Sequence, residues 1–214
     1  MNKTIEKICV VDNDDGFLTI MKLFLEEDGY EVVTAEDGLK ALTLLKSYTP
    51  DIMFIDLVMP NIDGRKLGEL IRKNPLFGNM FLVVVSAISP EEDIDFSEWG
   101  FNACIAKGPI KVVKENVFLL LSQLREKGSE SFEYRVLGKE KLFKREITKE
   151  LLSKKNHFEL IMRNMSESIM ELTSDGIIIY ANPAAISLIG IPEETLLISN
   201  FSDLAEGENR TRLM

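Results

Sequence analysis

Five positions in this sequence carry side chains that can do chemistry together: Asp12 and Asn13, Asp56, Ser86 and Lys107. Each group lies at the end of a short apolar run. Ile8-Cys9-Val10-Val11 precedes Asp12, and Ile52-Met53-Phe54-Ile55 precedes Asp56. Phe81-Leu82-Val83-Val84-Val85 precedes Ser86, and Ala103-Cys104-Ile105-Ala106 precedes Lys107. Carboxylates gathered in one pocket repel and need a hard cation between them. Mg2+ suits such a pocket, because it takes few protein oxygens and completes its shell with water and phosphate. The metal and the Lys107 ammonium would neutralise the charge that develops as a carboxylate attacks a phosphoryl donor. The Ser86 hydroxyl would donate a hydrogen bond to the bound phosphoryl group. Taken singly, Asp12 to Asp15 read as a helix cap, Lys107 as a solvated lysine and Ser86 as an ordinary strand-end serine.

The surrounding pattern supplies the elements that bring these positions together. Over residues 5–127, short apolar runs alternate with longer amphipathic stretches. Phe17, Ile20, Met21, Phe24 and Leu25 have helical spacing, and Gly29 ends that helix. Glu31 to Thr34 is a second strand, followed by a helix lined by Leu39, Leu42 and Leu45. Leu67, Leu70 and Ile71 mark a third helix, Glu91 to Trp99 a polar one, and Val112 to Leu124 the closing one. Five fully apolar strands separated by helices predict a doubly wound α/β fold with a five-stranded parallel sheet. In such sheets ligands bind at the carboxyl ends of the strands, beside the switch in strand order. The chemical residues fall there.

The run Asp56-Leu57-Val58-Met59-Pro60-Asn61-Ile62-Asp63-Gly64, with Asp12 upstream and Ser86 and Lys107 downstream, resembles the receiver domains of two-component response regulators. The resemblance spans about residues 5–127. It implies a flavodoxin-like fold, Asp56 as phosphoacceptor, Ser86 as switch hydroxyl and Lys107 as the cation on the phosphoryl group. It further implies Mg2+ held by Asp12, Asn13, Asp56 and the Val58 backbone carbonyl, and a histidine kinase or phosphotransfer protein as donor. Three positions depart from the family pattern. Asn13 stands where a second acidic metal ligand is usual, which predicts weaker Mg2+ binding unless Asp14 offsets the lost charge. Cys104 replaces the switch aromatic. Gly108 follows Lys107 and moves proline to Pro109, so the usual cis Lys-Pro peptide is absent. Phosphorylation is expected to be intact and signal propagation altered.

The chain changes character after Lys127. Phe132, Tyr134 and Val136 alternate as a short extended piece. Residues 139–165 are strongly helical in pattern, with Ile147, Leu151, Phe158, Ile161 and Met165 forming a seam interrupted by Lys154. That seam fits a coiled coil, and with it a homodimer, or an amphipathic helix packed on its own chain. His157 reads as a helix-surface residue, since no acidic residue follows it directly and no glycine-rich nucleotide motif comes after it. Asn164-Met165-Ser166-Glu167, the Asp175-Gly176 turn and Tyr180-Ala181-Asn182-Pro183-Ala184 resemble the start of a PAS domain. The expected organisation is therefore a receiver at 1–127, a helical linker at 128–165 and an incomplete α+β PAS unit at 166–214. An incomplete sheet of this kind predicts poor order or edge pairing between chains.

Charge and cysteines narrow the class. The net charge of −10 divides into −7 over residues 1–127, +3 over 128–165 and −6 over 166–214. Neither end offers the basic surface that nucleic acid requires. Cys9 and Cys104 lie in apolar runs and read as buried thiols of a reducing compartment. The apolar stretch from Met80 to Ile88 is far shorter than the ~20 residues of a membrane span, so a cytoplasmic protein is expected. The functional expectation is a regulator that accepts a phosphoryl group on Asp56 and relays its state through a linker helix to a PAS module. The alternatives are the N-terminal part of a hybrid histidine kinase or other signalling enzyme, and a pseudo-receiver that no longer uses phosphorylation.

Overall fold

The computed structural model describes residues 5–87, 96–127, 132, 134–138 and 159–206. The chain divides into two compact units, Met1–Thr148 and Lys149–Met214.

The first unit is built in the order β1 (Lys7–Val11), α1 (Asp15–Glu27), β2 (Glu31–Ala35), α2 (Gly38–Leu45), β3 (Ile52–Ile55), α3 (Gly64–Lys73) and β4 (Phe81–Ser86). A 3-10 turn (Phe96–Trp99), β5 (Ala103–Ala106), α4 (Ile110–Lys127) and β6 (Val136–Leu137) complete it. The strands lie in the order β2-β1-β3-β4-β5-β6, with every adjacent pair parallel. The chain steps from β1 outward to β2, then returns past β1 to β3. The strand order therefore reverses between β1 and β3, and a crevice opens at their carboxyl ends.

Residues on β1, β3, β4 and β5 are buried along almost their whole length, as a sheet covered on both faces requires. Ile8, Val10, Ile52, Phe54, Val83, Val85 and Ile105 pack with Leu18, Met21, Phe24, Val117 and Leu121 of α1 and α4. The alternate residues Cys9, Val11, Met53, Ile55, Leu82 and Val84 are equally buried and face the other way by strand alternation. Asp14, Asp37 and Asp63 cap α1, α2 and α3, each side chain accepting a backbone N–H of the first turn.

Two expectations change. The sheet has six strands instead of five, because the extended piece after α4 returns to the sheet and adds β6 to the edge of β5. The polar helix expected over Glu91 to Trp99 is seen as a 3-10 turn at Phe96–Trp99, and residues 91–95 lie outside the described residues. Most of the predicted linker seam, with Ile147, Leu151, Lys154, His157 and Phe158, also lies outside them.

In the second unit residues 159–164 are helical, and β7 (Met170–Leu172) pairs antiparallel with β8 (Ile178–Ala181). The helices α5 (Pro183–Ile189), α6 (Glu193–Leu196) and α7 (Phe201–Glu206) follow. Asn182 is wholly buried and joins these parts. Its side chain accepts from Ile169 N at 3.0 Å and Ala185 N at 2.9 Å, and donates to Glu167 O at 2.8 Å and Met162 O at 3.2 Å. A single amide thus caps α5 and ties it to the end of the preceding helix.

Candidate phosphoacceptor site

Asp12, Asp56 and Lys107 each sit one step beyond a strand and are fixed there by a ladder hydrogen bond, while Ser86 is the last residue of β4. Asp12 N donates to Ala35 O at 3.1 Å, Asp56 N to Val11 O at 2.9 Å and Lys107 N to Ser86 O at 2.8 Å. The backbone that holds the sheet together therefore also sets the site. Asp12 and Asp56 are 1% and 7% exposed, and Ser86 is buried at the end of β4.

Lys107 bridges the two acids. Its Nζ donates to Asp12 Oδ2 at 2.6 Å and to Asp56 Oδ2 at 3.5 Å. Asp56 Oδ1 accepts from Leu57 N at 2.8 Å, which orients the carboxylate. Burial pushes Asp56 up to about 6; Lys107 opposes the shift, and the neighbouring Asp12 adds to it. Asp12 is raised too, again mainly by burial, with Lys107 and the Asp14 N–H opposing. One ammonium does not fully compensate two buried carboxylates.

The loop after Asp56 closes back on its own start. A Cβ on Gly64 would come within 2.1 Å of Asp56 O, so only glycine allows α3 to begin there. Gly64 N donates to Leu57 O at 3.1 Å across the same turn. From the other side, α2 grips the loop. Asn61, at φ 60°, donates its Nδ2 to Asp37 Oδ2 at 2.7 Å, and Gly38 N donates to Ile62 O at 3.2 Å. A Cβ on Gly38 would approach Ile62 O to 2.3 Å.

Asp12, Asp56, Ser86 and Lys107 are thus gathered at the carboxyl edge of the sheet, while Asn13 and Val58 are exposed beside it. Asp14 caps α1, its Oδ1 accepting Phe17 N at 3.0 Å, and its negative charge remains close enough to act on Asp12. Among the described residues no cluster of three or more His, Cys, Asp and Glu side chains could hold a metal. The oxygens on offer to a cation would be those of two carboxylates, with the Asn13 amide and the Val58 carbonyl nearby in the chain. Two undercompensated buried carboxylates fit a hard cation that keeps most of its water.

Cys9 and Cys104 are buried and form no disulfide; burial pushes the Cys9 thiol up to about 12. Three contributors carried no functional reading in the sequence. Phe17 lies under Lys107, with the ring centroid 4.5 Å from Nζ. Asp37 and Asn61 clamp the loop, and β6 lies along β5. Phe17 was explained by helical periodicity alone, and Asp37 was not singled out at all.

Comparison with known families decides what this arrangement is. The family described as the response regulator receiver domain matches residues 8–113. The first half of the chain is a response regulator receiver domain. The PAS fold matches residues 156–213, so a receiver followed by a PAS fold is the order along the chain. The alkaline phosphatase synthesis transcriptional regulatory protein PhoP of Bacillus subtilis is 35% identical over 92 residues, 43% of this chain and 36% of PhoP. The CAI-1 autoinducer sensor kinase/phosphatase CqsS of Vibrio cholerae is 38% identical over 68 residues, 32% of this chain and 10% of CqsS. The match therefore spans about a third of PhoP and a tenth of CqsS. Among solved structures, the chemotaxis response regulator CheY4 of Vibrio cholerae superposes with a TM-score of 0.51 at 22% identity, covering 55% of this chain and 99% of CheY4. That likeness establishes the CheY-like fold of the receiver. No helix among the described residues is long and apolar enough to cross a membrane.

Proposed function

We propose that this receiver accepts a phosphoryl group on Asp56 from a histidine kinase or phosphotransfer protein and relays its state to the PAS module. The observation that carries the reading is the Asp12–Lys107–Asp56 constellation at the switch in strand order, with Ser86 on the next strand. An Asp56 Oδ attacks phosphorus, the bond from phosphorus to the donor breaks, and an acyl phosphate forms. Asp12, Asn13, the Asp56 carboxylate and the Val58 carbonyl would hold Mg2+, which when bound supplies positive charge to the phosphoryl oxygens. Lys107, already between the acids, turns its ammonium to the transferred group. Ser86 donates to a phosphoryl oxygen and so reports its arrival.

Cys104 offers no aromatic ring to report that event, and β6 offers another route. Cys104 N donates to Arg135 O at 3.0 Å, and Cys104 and Ile105 are in register with Val136 and Leu137. Side chains fasten the same segment at its flanks. Phe132 packs edge-on to Phe81 at 5.2 Å, and Arg135 Nη1 donates to Gln123 Oε1 at 3.1 Å. A shift of Lys107 on phosphorylation moves the end of β5, and β6 carries that displacement to the chain that leads toward the PAS fold.

Incubation with acetyl phosphate and Mg2+, followed by intact mass, tests phosphoryl acceptance. Wild type gains one phosphoryl mass and Asp56→Asn does not. Equal gain by both variants would remove Asp56 from the role. No gain by either, even at high Mg2+, favours a pseudo-receiver; the exposed amide of Asn13 is the feature that supports that second reading. Restoration by Asn13→Asp would assign the loss to the missing carboxylate.

A further inference from the structure

The two carboxylates account for only part of what surrounds Lys107. Its Nζ also lies over the face of Phe17, 4.5 Å from the ring centroid. Phe17 stands in the first turn of α1, where its N–H is held by the Asp14 cap, and its half-buried ring packs against the core. The ring is therefore placed by a helix start, a cap and a core contact, all independent of Lys107. A lysine ammonium rides on a flexible four-carbon stem and is strongly hydrated, so two carboxylates on one side leave it free to swing into water. An aromatic face attracts the cation without neutralising it. A third carboxylate there would bind the ammonium more tightly and would compete with the phosphoryl group for it.

We propose that Phe17 is a positioning residue: its ring keeps the Lys107 ammonium beside Asp56, ready to meet the phosphoryl group when a metal takes over Asp12. This rests on Asp56 being the phosphoacceptor. In the resting geometry Lys107 is bonded most closely to Asp12, at 2.6 Å, so a cation arriving there displaces it. The side chain must then remain near Asp56, now 3.5 Å away, and the ring is the contact that survives the exchange. The ring thus limits the motion of Lys107 to the short step between the two acids.

The test uses the full chain labelled with 13C at the lysine ε carbons, the Lys107 signal being assigned by its loss in Lys107→Gln. In wild type the Lys107 ε protons are shifted upfield by the ring, with and without Mg2+. Phe17→Leu, which keeps an apolar side chain of similar reach, moves them to the position of solvated lysines; Phe17→Tyr leaves them in place. Phosphorylation by acetyl phosphate at saturating Mg2+ slows about 3- to 10-fold in Phe17→Leu, in line with a partly desolvated cation–π contact, and recovers in Phe17→Tyr. In a Lys107→Gln background, Phe17→Leu causes no further loss. An ε signal indifferent to Phe17→Leu overturns the proposal, as does an equal rate loss in the Leu and Tyr variants or an undiminished loss without Lys107. If wild type takes up no phosphoryl group, the reading of Asp56 fails, while the ε signal still decides whether Phe17 holds Lys107.

Discussion

The loop that follows Asp56 and the sheet edge that follows Lys107 are built on opposite plans. The loop is closed by backbone, with Gly64 against Asp56 O and Gly38 against Ile62 O, and by the Asn61–Asp37 side-chain hydrogen bond across the gap. No side chain larger than hydrogen fits at either glycine. The sheet edge has room. A Cβ on Gly108 would meet nothing within 4 Å, and Cys104 stands without an aromatic side chain. This edge carries the additional strand β6. On the proposed function, receiving a phosphoryl group would demand atoms fixed to tenths of an ångström, whereas reporting it would require only a connection with two positions. The two regions differ as those demands differ.

The largest expected effect breaks the comparison at its root. Gly64→Ala should cost about 3 kcal/mol in urea unfolding, because backbone must move to admit the methyl group. Gly108→Ala should stay within about 0.5 kcal/mol of wild type. Equal costs would abolish the distinction between a tight loop and an open edge.

Next comes the charge held on the tight side. Asp56 is raised to about 6 in the folded metal-free protein, against an ordinary value of 3.8. The folded state then binds the proton more strongly than the unfolded one. Its contribution destabilises at neutral pH and is relieved as pH falls through 6 toward 4. Asp56→Asn should therefore stabilise the metal-free protein by roughly 3 kcal/mol at pH 7.5, and the gain should vanish below about pH 4. A gain independent of pH would show that packing, not charge, is responsible.

A smaller loss is expected at the clamp. Asn61→Ala removes the bond to Asp37 and should cost about 1 kcal/mol. It should also slow phosphorylation, since that bond and the Gly38–Ile62 pair hold the loop from the α2 side. An Asn61→Ala chain that phosphorylates at the wild-type rate would show that the clamp serves stability alone.

The smallest effect sharpens the other half. Gly138 has φ 84°, and a side chain there would meet Asn116 Nδ2 at 2.6 Å. Gly138→Val should loosen β6 with less than about 1 kcal/mol of global cost. It should raise amide exchange at Cys104 about threefold and leave phosphoryl uptake unchanged.

The sequence displays the core of this structure more openly than its edges. Strands such as Ile52-Met53-Phe54-Ile55 and Phe81 to Val85 are wholly apolar because both faces are covered, and that burial is written in the residues themselves. Asp12, Asp56, Ser86 and Lys107 were legible as the residues that end such runs. The extended character around Val136 was legible too, but its place as a sixth strand was not, because a two-residue edge strand is defined by its partner Cys104-Ile105, far away in the chain. Phe17 was hidden for a related reason: helical spacing already explained it, and the ammonium it faces comes from the opposite end of the unit. Asp14 could be read as a cap or as an extra acid; the bond to Phe17 N shows the cap, and its charge is still felt at Asp12.

Amide hydrogen exchange of the full chain, before and after acetyl phosphate with Mg2+, tests the central claim most directly. The account predicts altered exchange at Leu57, next to the acceptor, and a second change at Cys104 and Leu137 that disappears in Asp56→Asn. A change confined to the loop over residues 57–64, with β5 and β6 untouched, would contradict it.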